Sequence, residues 1–242
     1  MEAKKAVISL SGGLDSTMLL MYYLSKGYDV KAYSFEYGQK HNVELKKVKK
    51  NIKFLQNKGF NVTHQIINLT DVFSDSNSSL HKGGGDIPHS KYDSETQKST
   101  VIEQRNVIFS AIVYGKALSW ANKTQENVII SLGIHSNDHS IYPDCRPESQ
   151  EMAKELYRIS NWGSERVDYE APFVNIDKAG VLKMGLDSMH SLNMSNKDIK
   201  TIIKNTHSCY DVDKDGHSCG KCGTCQERLY AFAMNGIKDP VK

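Results

Sequence analysis

The sequence predicts an α/β fold: a parallel, doubly wound sheet with a helical, zinc-binding extension at its C-terminal end. Three observations predict it. Short apolar runs alternate with amphipathic stretches through the first half of the 242-residue chain. A serine- and glycine-rich turn, Ser11-Gly12-Gly13-Leu14-Asp15-Ser16, joins the first apolar run to the first helical pattern. Polar clusters follow three of the apolar runs, and ligands on such sheets sit beyond the carboxyl ends of the strands.

Taken in order, residues 6–10 read as a strand, 15–26 as a helix stopped by Gly27, and 30–35 as a second strand. Residues 41–58 form a long amphipathic helix, with Val43, Leu45, Val48, Ile52 and Leu55 near helical spacing and Gly59 as its stop. Residues 62–69 are a third strand. The polar stretch 70–100, with Ser76-Asn77-Ser78-Ser79 and Gly83-Gly84-Gly85, is long for a connection. Such loops are lids, binding loops or disordered segments. A helix at 106–120 and a strand at 128–132 follow. From Glu148 onward the pattern is helical, at 148–160, 177–186, 195–205 and 226–235. This divides the chain into a nucleotide-binding α/β part, 1–147, and a helical part packed on it, 148–242.

An apolar fraction of 39% suffices for a core, and a net charge of +3 does not call for a nucleic-acid partner. Lys46, Lys47, Lys49, Lys50 and Lys53 lie on the second helix and read as a solvated face. No apolar run reaches membrane-spanning length, and residues 1–5 are too few and too polar for a signal peptide. A cytoplasmic location is expected, where thiols stay reduced.

The turn at 11–16 has the composition of a phosphate cradle. Two glycines let backbone approach an anion, and the following helix aims unpaired N–H groups at it. It is not a Walker A loop, lacking Gly-Lys-Ser/Thr, nor a dinucleotide fingerprint, lacking the third glycine. Four of the five cysteines, Cys209, Cys219, Cys222 and Cys225, cluster late in the chain. Two-residue gaps let thiolates converge on one ion, and four thiolates describe a closed, structural Zn²⁺ site; an iron–sulfur cluster is the competing occupant. His207 and His217 read as surface histidines, and Cys145 as a packed small hydrophobe.

Ser-Gly-Gly-x-Asp-Ser resembles the loop of the PP-loop ATP pyrophosphatases, whose fold is Rossmann-like. Further strings narrow the resemblance: Ser34-Phe35-Glu36-Tyr37-Gly38-Gln39-Lys40-His41, Gln104-Arg105-Asn106, Gly133 to Asp138, Tyr142-Pro143-Asp144-Cys145-Arg146-Pro147-Glu148 and Thr206-His207-Ser208-Cys209-Tyr210. In this order, over nearly the whole chain, they resemble the 7-cyano-7-deazaguanine (preQ0) synthases of queuosine biosynthesis. The resemblance implies that 7-carboxy-7-deazaguanine is adenylated with ATP and Mg²⁺, amidated by ammonia, then adenylated again and dehydrated to the nitrile. It implies a homodimer.

By the same resemblance, Ser11, Gly12, Gly13, Leu14, Asp15, Ser16, Phe35 and Gln39 serve ATP, with Lys178 approaching the phosphates. Arg105, Asn106, Asp138, Tyr142 and Asp144 serve the deazapurine. Asp15, Ser16, Lys178 and Arg105 are the catalytic candidates. Helix capping is the plain alternative for Asp15, an exposed helix position for Lys178, and pairing with Arg146 for Asp144. The chain departs from the family pattern at Glu36, at Ile102-Glu103-Gln104 before Arg105, at His135-Ser136-Asn137, and in a longer 193–205 segment. These departures raise a second possibility, a ligase that stops at an amide and uses another amine, such as a protein amine. A tRNA-modifying PP-loop enzyme and a non-catalytic zinc-bearing module are further alternatives.

Overall fold

The protein is described from a computed structural model covering residues 4–91 and 95–241. Residues 1–3, on which the signal-peptide reading partly rests, and residues 92–94 of the polar stretch lie outside the described residues.

Five strands form one parallel sheet in the order β3-β2-β1-β4-β5. They are β1 (Lys4–Ser9), β2 (Tyr28–Glu36), β3 (Val62–Asn68), β4 (Val128–Ser131) and β5 (Val167–Glu170). β1 is central, and its Ala6, Val7 and Ile8 are fully buried, which is why an unbroken apolar run stands there. Ala6 and Ile8 face one core and Val7 the other. The first core is covered by α1 (Leu14–Ser25), α2 (Val43–Asn57), α5 (Lys178–Ser191), α6 (Asn196–Lys204) and α7 (Gly223–Met234). The second is covered by α3 (Arg105–Thr124) and α4 (Pro147–Ser160).

The doubly wound parallel sheet is as the alternation predicts. One element is not: the stretch after Glu148 is not all helical, because Val167–Glu170 pairs with β4 and completes the sheet. Its four residues alternate apolar and acidic, but so short a run hardly announces a strand. Helix α7 begins inside the cysteine cluster, and α5 runs five residues beyond the expected 186, to Ser191. The described part of the stretch 70–100 is packed: Leu80 and Thr100 are fully buried, and Lys40 Nζ donates to the carbonyls of Gly84 and Gly85 at 3.0 and 2.6 Å.

The strand order reverses at β1. Its neighbour β2 continues the chain to one side and β4 to the other, so the loops after β1 and β4 diverge and leave a crevice at their carboxyl ends. Gly133, at the end of β4, lets that loop approach α1; a Cβ there would meet Ser16 backbone at 3.1 Å.

Candidate active site

Gly12 occupies the left-handed region (φ +95°), and an added Cβ would stand 2.7 Å from the Glu44 carbonyl oxygen and from Val48 Cγ2 on α2. Only glycine meets both conditions. Gly13 is the extended N-cap of α1, and the Ser11 hydroxyl accepts from its N–H at 3.1 Å and lies 3.0 Å from the Ser16 hydroxyl. No side chain caps the helix. Asp15 therefore does not act as the cap, and the first turn's N–H groups face the crevice.

The crevice deepens into a cavity of about 190 Å³ with two chemically distinct ends. At the loop end, Lys178, first residue of α5, lies 3.2 Å from Asp15 Oδ2 and 2.5 Å from Glu227 Oε2. It is 3% exposed, so it is not a surface lysine. Asp177 fixes its start by capping α5, accepting from Gly180 N–H at 2.8 Å. His135, at the end of β4, places Nε2 3.7 Å from both Asp15 and Asp138. Burial alone would strip the proton from His135, but Asp138 and Asp15 outweigh it and hold its pKa up at about 9. Burial likewise works against the Asp15 carboxylate, and Lys178 and His135 overcome it, keeping the acid far below its ordinary range. The buried Asp15 Oδ1 and His135 Nδ1 have no partner, which suits a site built to receive a ligand or ion.

At the other end the wall is aromatic and cationic. Phe35 and Phe109 stack at 4.0 Å. The Arg105 guanidinium lies 5.8 Å from the ring centres of both Tyr37 and Tyr142. Tyr142 is buried and its hydroxyl lies 2.7 Å from that of Thr100. Tyr210, His41 and Glu44 complete this end. Burial drives the Glu44 carboxyl up to about 8, against the pull of Gln39 and Arg105, and drives His41 down to about 3, with His207 and Arg105 adding to it.

Of the sequence-predicted residues, Ser11, Gly13, Asp15, Ser16, Phe35, Arg105, Asn106, Asp138, Tyr142 and Lys178 meet on this one cavity wall. Gly12, Leu14, Gln39 and Asp144 stand behind it. Gln39 pins the turn after β2, accepting from Tyr37 N–H at 2.8 Å and donating to the Phe35 carbonyl at 3.0 Å. Asp144 accepts from Asn106 Nδ2 at 3.3 Å, while Arg146 turns to the His139 carbonyl. Cys145 is buried on the wall, and burial pushes its thiol well up, so it is a poor nucleophile.

His207 is not a surface histidine. It is 3% exposed, its N–H donates to the Gly12 carbonyl at 2.8 Å, and its ring nitrogen lies 2.8 Å from the Cys209 carbonyl. His217 is exposed, as expected. Sequence reasoning also passed over His135, Glu44, His41 and Glu227 as site residues. His135 and His41 stood inside the strings quoted above; Glu227, directly after the cysteine cluster, gave no signal of its own.

The four clustered cysteines converge, with all four sulfurs within 4.8 Å of one another and Cys209 and Cys222 4.0 Å apart. A tetrahedral ion with bonds of about 2.3 Å would set its sulfurs about 3.8 Å apart. Backbone N–H groups of Cys219, Lys221 and Cys222 donate to cluster sulfurs at 3.2 to 3.3 Å, the support thiolates need. The cluster could hold a metal ion.

A glycine-rich loop at the switch point of a parallel sheet, with a buried lysine and acid beside it, places the chain among α/β proteins of nucleotide-binding architecture. Comparison with known proteins narrows this. The family model described as queuosine biosynthesis protein QueC matches residues 5–236, and the chain belongs to that family. It is 36% identical over 239 residues to a 7-cyano-7-deazaguanine synthase of Caldicellulosiruptor saccharolyticus, covering 98% of this chain and 95% of that one. It is 37% identical to the enzyme of that name from a Marinomonas species, covering 99% and 98%. A solved structure of NMN synthetase from Francisella tularensis overlaps with a TM-score of 0.41 at 15% identity, covering 98% of this chain and 79% of that one, a likeness too slight to bear on function.

Proposed function

We propose that this chain makes 7-cyano-7-deazaguanine from 7-carboxy-7-deazaguanine, ATP and ammonia. The observation that carries the reading is the single two-ended cavity: an anion-cradling loop with Lys178 and Asp15 at one end, and Arg105 among tyrosines at the other. A planar acid bound between them meets the α-phosphate of ATP.

The chemistry follows from what each end supplies. A carboxylate resists attack, and transfer to AMP gives it a leaving group. The N–H groups opening α1, with Ser11 and Ser16, bind the departing pyrophosphate, and Lys178 takes up its developing charge. Mg²⁺ would be held by Asp15 and Asp138 and would neutralise phosphate charge. Phe35, Tyr37 and Tyr142 supply flat apolar faces for the deazapurine, and Arg105 and Asn106 orient its polar edge. Ammonia then displaces AMP to give the amide, and a second adenylation on the amide oxygen drives loss of AMP to the nitrile.

Two of the departures that raised an amide-forming ligase stand away from the cavity. Glu103 is exposed and accepts from the Ser76 hydroxyl, and Glu36 accepts from Asn42 Nδ2. They lend that reading no support. We assign Zn²⁺ to the four cysteines, from their tetrahedral spacing. We also assign a homodimer through α4, whose Met152, Leu156 and Ile159, with Trp162 beyond its end, form an exposed apolar stripe. No described helix is long and apolar enough to cross a membrane.

Mass spectrometry of products from ATP, Mg²⁺ and the deazapurine acid, with and without ammonia, tests the reading. Nitrile together with AMP and pyrophosphate is the expected outcome. Amide that never becomes nitrile would overturn it.

A further inference from the structure

Glu227 is absent from every functional expectation above, yet it makes the shortest contact in the loop end of the site. It is 7% exposed, sits in the first turns of α7, and its Oε2 lies 2.5 Å from Lys178 Nζ, against 3.2 Å for Asp15. Its other oxygen, Oε1, is buried without a hydrogen-bond partner. One ammonium thus stands between two carboxylates from separate helices, one on α1 and one on α7.

We propose that Glu227 is a positioning residue of the nucleotide site, anchoring Lys178 from behind so that its 3.2 Å pair with Asp15 does not tighten further. The inference rests on the ATP-dependent reading above. Its logic is competition. With Glu227 removed, the buried lysine has Asp15 as its nearest counter-charge, and a tightened Lys178–Asp15 pair would sequester both groups from the incoming magnesium pyrophosphate. With Glu227 in place, the lysine's charge is shared, and neither group is lost to the other.

The position of Glu227 is itself fixed from three sides. The first turn of α7 carries Cys225, so the cysteine cluster holds its start. Its far end is tied to α5 beside Lys178, where Asn235 Nδ2 donates to the Ala179 carbonyl at 3.0 Å. Between them Arg228 is paired with Asp239 at 2.7 Å and donates to the hydroxyls of Thr206 and Ser208, which flank the residue bonded to Gly12. A carboxylate on so constrained a helix cannot follow Lys178, so it sets where the lysine stands.

The test is calorimetric binding of inorganic pyrophosphate with Mg²⁺ to the full-length protein and to Glu227→Gln, alongside steady-state ATP cleavage. We expect at least a tenfold loss of magnesium pyrophosphate affinity and a matching fall in kcat/KM for ATP. Affinity for the deazapurine acid, metal content and Tm should stay close to wild type. Glu227→Asp, which keeps the charge on a shorter arm, should fall between the two, and it covers the case in which Glu227→Gln does not fold. Unchanged pyrophosphate affinity would overturn the proposal. So would a loss shared equally by pyrophosphate affinity, deazapurine affinity, metal content and Tm, which would mark a merely structural acid. If the wild type binds magnesium pyrophosphate but makes no nitrile, the functional reading fails while the test of Glu227 stands.

Discussion

Gly12 shows how narrowly single positions are specified. Its left-handed backbone and the 2.7 Å approach of the Glu44 carbonyl leave no room for a methyl group. Gly12→Ala should cost about 2 kcal/mol or more in stability, read by denaturant unfolding, and weaken ATP binding as the loop shifts. Two titratable residues set the pH response. His135 titrates near 9 in the fold, above its ordinary value, so the stability it contributes is complete below about pH 6.5 and is lost as pH rises toward 9. Glu44, raised to about 8, has the same sign: the fold favours its protonated form, and stability drains as pH rises from its unfolded value through 8. Tm should therefore fall between pH 6.5 and 9, and Glu44→Gln should flatten that fall; an unchanged slope in the variant would contradict the assignment. At this scale the turn at 11–16 was legible because its residues are contiguous, glycine and serine announcing their geometry locally. His135, Glu44 and Glu227 were not, since each matters only through a partner brought from a distant part of the chain.

Among the elements, the close pairing of α1 with α5 depends on Gly185, where a Cβ would fall 2.0 Å from Met18 Sδ. Gly185→Ala should lower stability by about 1–3 kcal/mol unless Met18 finds another rotamer, and thermal melting measures it. The cysteine cluster is likewise an element-level device. Cys222→Ser, or prolonged chelation, should lower Tm by several degrees and release α7; a stable, fully active variant would argue against a structural metal. β1 and β4 were legible because buried parallel strands read as apolar runs, and the longer β2 and β3 because each follows a helix-stopping glycine, Gly27 and Gly59. β5 failed the same test, as Val167-Asp168-Tyr169-Glu170 is half-polar at the sheet edge. His207 was misjudged for a related reason: its burial is created by Gly12 and Cys209, and nothing beside it in the sequence says so.

For the whole molecule, the stripe of Met152, Leu156, Ile159 and Trp162 is the feature a single copy leaves unexplained; Trp162 is 97% exposed. If the proposed dimer forms through this stripe, Leu156→Glu with Ile159→Glu should convert it to a monomer in sedimentation, and a wild type that sediments as a monomer would refute the assembly. A different consequence follows from the hydrogen bond between His207 and Gly12. The glycine–serine loop leaves the ribosome well before His207, the cysteines and Glu227. A nascent chain holding β1 to β4 already has its cradle but lacks the segment that braces it. Nucleotide affinity should therefore appear as a step, when α7 docks. ATP should then stabilise the chain that has already closed upon itself, and leave the steps before α7 docks unaffected.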